Sequence, residues 1–156
     1  TVHYVDGTQA DYDLILEATG YKLDYPFMKP EHLNWNGMAP ALYLNAFNPQ
    51  HNNVFVMGMV EAAGLGWQGR DDQAHLVALY IRQSLDGKTS AADFKNNIEQ
   101  LFAQSATGGM AYLELERMAY YVDKQVYLNA VHTGIEQLQR DLDQTSVQTV
   151  VSGGAL

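Results

Sequence analysis

Residues 53–82 read NVFVMGMVEAAGLGWQGRDDQAHLVALYIR: an apolar run, a glycine-rich connection and an amphipathic stretch in immediate succession. Gly64-Leu65-Gly66-Trp67-Gln68-Gly69 satisfies G-x-G-x-x-G, the pattern that lets amides at a helix start face a pyrophosphate. Its surroundings do not suit that use. The dinucleotide fingerprint places its first glycine in the tight turn where a strand ends, whereas Glu61-Ala62-Ala63 separates Gly64 from the apolar run. The second, acid-bearing strand is missing as well. After Arg82 the chain reads SLDGKTSAADF, where Asp86-Gly87 signals a turn and Ser90 opens another helix. The stretch is therefore read as a buried strand at 54–60, apolar throughout as expected when both faces are covered. A glycine-rich loop at 64–69 and a helix from Arg70 follow it.

Outward from this stretch the chain divides into a strand-bearing start and a helical C-terminal half. Two strand candidates flank Asp6-Gly7, the strongest short hairpin signal, and Leu14-Ile15-Leu16 reads as a short buried strand. Residues 21–53 carry all four prolines and many aromatics with little periodicity, so they form an ordered but irregular crossing. Leu76, Leu79, Tyr80 and Ile81 share a helix face, and Ser90 with Asp93 makes a capping box. Ile98, Leu101 and Phe102 continue that second helix until Gly108-Gly109 breaks it. A last helical segment runs from Ala111 to about Gln144, with Asp123 placed to cap its main part. Leu128, Val131, Ile135, Leu138 and Leu142 follow a 3,4,3,4 spacing that serves either packing within the domain or a partner helix. VSGGAL reads as a loose tail.

The 156 residues suffice for one domain with a sizeable core, and 47% hydrophobic residues place the chain in the globular class. A net charge of -9 with nine Lys and Arg argues against nucleic acid or an anionic membrane as partner. No apolar run is long enough to span a bilayer, and the expectation is a cytoplasmic, soluble protein. The absence of cysteine excludes disulfides and thiolate metal sites. His3, His32, His51, His75 and His132 are isolated along the chain, with no spacing that puts two metal ligands on one helix face, so no metal site is expected. No G-x-S-x-G elbow is present, and Ser105 lies among residues that read as a helix end. Asp71 and Asp72 sit where carboxylates stabilise exposed helix-start amides; the same helix end alternatively faces an anion or an electron-rich ligand.

Two segments carry a family likeness. DGTQADYDLILEATGYKLDYPF at 6–27 resembles the DG, D-hhh-x-ATGY and PF pattern of flavin-containing monooxygenases and the related Baeyer-Villiger monooxygenases. Residues 41–76, from ALYLNAFNP to DDQAHL, resemble that family's LY-x-x-hF-x-P segment, its apolar strand ending in glycine and its acidic-x-Gln-Ala helix start. MAYYVDKQVYLNAV at 118–131 is similar to the C-terminal helix pattern of bacterial members. The likeness implies an α+β fragment of a fold with two dinucleotide-binding domains. Residues 1–20 would close the NADPH-binding domain, 21–86 would return to the FAD-binding domain, 87–144 would be C-terminal helices and 145–156 the tail. Thr19 and Gly20, with Tyr21, mark the return; Gly58 ends the strand that approaches the ribityl chain of FAD; Asp71, Asp72 and Gln73 fall at the helix start beside the flavin ring. The chain departs from the pattern at Met59, where an Asp often follows the glycine, and at His75, where Arg is usual.

The resemblance thus implies the C-terminal part of an FAD- and NADPH-dependent monooxygenase acting on a ketone or on a nitrogen- or sulfur-containing small molecule. The FAD fingerprint, the F-x-G-x-x-x-H motif and the NADPH fingerprint are not in this sequence. The chain alone is expected to be inactive, to retain no cofactor, to need the N-terminal FAD- and NADPH-binding portion as its partner and to self-associate. The resemblance names no catalytic side chain of the cycle within it. The alternative is a detached helical module that dimerises through the 128–142 stripe and binds no flavin.

Overall fold

A computed structural model describes residues 1–20, 22–104, 106–109 and 118–152, with side chains to residue 142. Tyr21, Ser105, the Ala111 start of the last segment and tail residues 153–156 lie outside the described residues. Among the described residues the architecture is α+β: four two-residue strands and a 3-10 helix precede three α-helices.

Strands β1 (Val2–His3) and β2 (Gln9–Ala10) pair antiparallel with Val2 opposite Ala10, around the Asp6-Gly7 turn that the sequence signals. Gly7 takes φ +83°, and Asp6 accepts from the Thr8 backbone N–H at 2.9 Å, the local bond that favours Asp in turns. Beyond the hairpin the expectation of a buried strand fails. Leu14, Ile15 and Leu16 are 81, 62 and 87% exposed and lie outside any strand. Three consecutive apolar residues alternate between two faces, so both faces need a cover, which the described residues do not supply.

The crossing from 22 to 53 is irregular but ordered. A 3-10 helix, Pro30–Leu33, leads into β3 (Trp35–Asn36) and β4 (Ala39–Pro40), a second antiparallel hairpin. The expected strand at 54–60 is also absent. Only an isolated bridge joins Phe55 to Phe47, and Gly58 bends the chain at φ +77°. Of its apolar side chains Met59 and Val60 are buried, Val54, Phe55 and Val56 are half-buried and Met57 is 48% exposed, so aromatic rings and helices cover it in part where sheet neighbours were expected. Phe47 gathers Phe94, Tyr80 and Phe55 at ring-centroid distances of 5.1, 5.5 and 5.8 Å in edge-on contacts, the arrangement aromatic quadrupoles favour.

Helix α1 (Gly66–Leu85) begins in the glycine-rich segment rather than at Arg70. Gly64 at φ +72° and Gly66 at φ +60° turn the chain into it, and a Cβ on Gly69 would collide with the buried Leu65 side chain. Its buried face is Gln73, Leu76, Val77, Tyr80 and Gln83, while Ile81 is 40% exposed. Helix α2 (Thr89–Leu101) ends well before Gly108-Gly109, and Phe102 is its C-cap. The expected capping box does not form: Lys88 is the N-cap, and the Ser90 N–H donates instead to Asp141 Oδ2 at 2.9 Å. Helix α3 (Lys124–Ser152) is capped as the sequence indicates, Asp123 Oδ1 accepting from the Val126 N–H at 2.9 Å. The helix extends past Gln144, to Ser152.

Gly64 lies beside Lys124 and Leu76 beside Gly134, so α1 and α3 run parallel. Ser90 meets Asp141 and Asn97 meets Gln137, so α2 runs antiparallel to α3. Val131 and Leu138 are fully buried, and Leu128 and Ile135 pack on the same core; Leu142 stays exposed. Most of the stripe therefore packs against its own chain, as the intrachain reading of its spacing expects.

Candidate functional site

Two of the sequence-derived residues converge in the interior. Gln73, on the buried face of α1, accepts the Gly58 N–H at Oε1 (2.9 Å) and donates from Nε2 to the Tyr127 hydroxyl (2.8 Å) and the Leu44 carbonyl (3.3 Å). The Tyr127 hydroxyl donates in turn to the Leu44 carbonyl at 3.2 Å. Gln73 and Tyr127 are both fully buried. Leu44 holds a left-handed backbone, φ 49°, a conformation that costs a branched residue about 1–2 kcal/mol and persists where surrounding bonds enforce it. Burial pushes the Tyr127 hydroxyl far above its ordinary range, and the bond from Gln73 opposes this. The hydroxyl is thus a fixed neutral donor rather than an acid or base.

The segment leading to α1 is held from the other side. Asn45 Nδ2 donates to the carbonyls of Met59 (3.1 Å) and Tyr120 (3.3 Å), and Glu61 exchanges backbone bonds with Tyr120 and Val122 at 3.1 and 2.9 Å. Arg70 donates to the Gly66 carbonyl at 2.9 Å and pairs with Glu61 at 3.4 Å. The result is a pinned helix start whose Gly66, Trp67 and Gln68 amides have no acceptor among the described residues. Trp67 stands 87% exposed there.

Asp71 and Asp72 do not sit at that start. They lie in the second turn of α1, and the first turn contains no acidic residue. Asp71 is exposed; Asp72 accepts from Gln68 Nε2 at 3.0 Å and meets His132 Nε2 of α3 at 3.1 Å. Their expected role at exposed amides is corrected by the earlier helix start. Gln73 faces the interior, and the exposed Gly58 gives its N–H to it. Thr19 and Gly20 are exposed and lie outside any strand or helix, Gly20 at φ +88°. Leu44 and Tyr127 were missed by sequence reading: Tyr127 falls within an apolar helical stretch and reads as core, and Leu44 carries no chemical signal.

Family models contain no match to this chain, and neither curated proteins nor solved structures include one significantly similar to it. Among the described residues, no helix is long and apolar enough to cross a membrane, and no group of three or more metal-ligating side chains could hold an ion.

Proposed function

We propose that the chain is the C-terminal part of a cytoplasmic FAD- and NADPH-dependent monooxygenase that oxygenates a ketone or a nitrogen- or sulfur-containing small molecule, and that it is inactive without its N-terminal portion. The observation that carries this reading is the 13–20 segment, DLILEATG, which lies outside any strand or helix with Leu14, Ile15 and Leu16 exposed beside a helical core. A segment of that composition belongs inside a parallel sheet, where the family resemblance puts it. The competing dimer module has less support, since Val131 and Leu138 of the stripe it would use are buried within the chain.

Bound flavin would supply the redox chemistry and oxygen activation. The residues of this chain fit a supporting role at the α1 start. Unpaired amides of Gly66, Trp67 and Gln68 stabilise negative charge, and the positive φ of Gly64 and Gly66 leaves the backbone open to close approach. Gln73, through the bond it accepts from the Gly58 N–H, positions this segment.

The test is to extend the expressed sequence upstream and assay the purified product. A G-x-G-x-x-G-bearing extension, visible flavin absorbance and NADPH oxidation in air, accelerated by a ketone, amine or sulfide, sustain the proposal. An extended protein that stays colourless after FAD is added and leaves NADPH unconsumed overturns it.

A further inference from the structure

His32 and His51 are far apart in sequence, yet the fold brings their rings to a centroid separation of 6.0 Å with planes inclined at 63°. His32 is in the last turn of the 3-10 helix and is exposed; His51 is half-buried. Their placement is fixed by a side chain between them. Asn48, 2% exposed, donates from Nδ2 to the His32 carbonyl at 2.8 Å. Its Oδ1 accepts the backbone N–H groups of Gln50 at 2.8 Å and His51 at 3.1 Å. Gln50 Nε2 adds a second tie, to Asn34 Oδ1 at 3.0 Å. One buried amide thus grips the backbone of both histidines, so their rings are brought together before any ligand arrives.

We propose that His32 and His51 form a two-imidazole site for a divalent ion of borderline softness, with zinc as its probe, in which water fills the remaining positions. Two imidazoles that share a tetrahedral cation at a Zn–N distance of about 2.0–2.1 Å have ring centroids about 5 Å apart, so the observed rings need to close by about 1 Å, a shift that side-chain rotation of the exposed His32 supplies. Imidazole suits zinc, nickel and copper over the harder alkaline-earth ions. The chain's net charge of -9 raises local cation concentration, and Glu31 adds an exposed carboxylate next to His32 in the 3-10 helix. Among the described residues no third side chain completes a cage, so the site is open and exchangeable rather than a closed structural centre. It does not depend on the flavin reading: zinc can bind a chain that fails every flavin assay.

Isothermal titration of the chelator-treated chain with zinc near neutral pH tests this. One zinc per chain is expected. His32→Ala and His51→Ala each weaken binding tenfold or more, and the double variant binds no worse than either single variant, because one remaining ring cannot chelate. His3→Ala in the N-terminal hairpin leaves binding unchanged. Circular dichroism reports whether each variant folds, and the exposed position of His32 makes its substitution the decisive arm. A parent chain that binds no zinc, or binding that survives both single substitutions, overturns the proposal.

Discussion

A glutamine in the middle of a buried helix face is destabilising unless each of its polar ends is used, and Gln73 uses both. Gln73→Leu keeps comparable bulk but strips the Gly58 N–H of its acceptor, so a loss of about 2–3 kcal/mol is expected from urea unfolding. Tyr127→Phe leaves Gln73 Nε2 bonded to Leu44, and its expected loss is smaller, about 1 kcal/mol. Equal effects of the two substitutions would contradict the network. The family pattern drew attention to Gly58 and Gln73 before the fold was known, but not to their being partners. That relation depends on a bend at Gly58, and a bend inside an apolar run reads from sequence as a strand.

Helix ends separate local from long-range information. Asp123 caps α3 from the adjacent position and is legible in sequence, whereas the carboxylate at the start of α2 comes from Asp141, on another helix. The Ser90 N–H holds the Asp141 carboxyl below its ordinary value of 3.8. Its stabilising contribution is therefore present above that value and is lost as pH falls through and below it. Asp141→Asn should lower the melting temperature at neutral pH, and the gap from the parent should close as pH falls below the ordinary carboxyl value of 3.8. A gap that widens on acidification would exclude this role. Gly134 of α3 sets two magnitudes against each other. Alanine gains about 1 kcal/mol of helix propensity there, but its Cβ would meet Phe94 Cε2 at 2.9 Å and Leu76 Cδ1 at 3.0 Å. Overpacking at about 1–3 kcal/mol wins, and Gly134→Ala is expected to unfold at lower denaturant concentration than the parent.

The whole molecule joins a closed helical core to an uncovered apolar segment. Replacing Leu14, Ile15 and Leu16 by serine is expected to reduce concentration-dependent association in sedimentation while helical circular dichroism is retained. A parent chain that sediments as a monomer at all concentrations would refute that expectation. The helical half was legible because its periodicity is satisfied by neighbours within the chain; the run at 54–60 read as a strand because an apolar run does not record the bend at Gly58, and the run at 14–16 finds no cover among the described residues. The Leu44–Tyr127 bond, spanning 83 positions, also has a kinetic meaning. Helices α1 and α2 can pair through a short connection, whereas α3 must wait for a long loop to close, and loop closure of that length is slow relative to helix formation. The buried tyrosine bond therefore belongs to the last act of folding, and the Gly58 amide, held by the same glutamine, should gain its protection from solvent exchange only when α3 has docked.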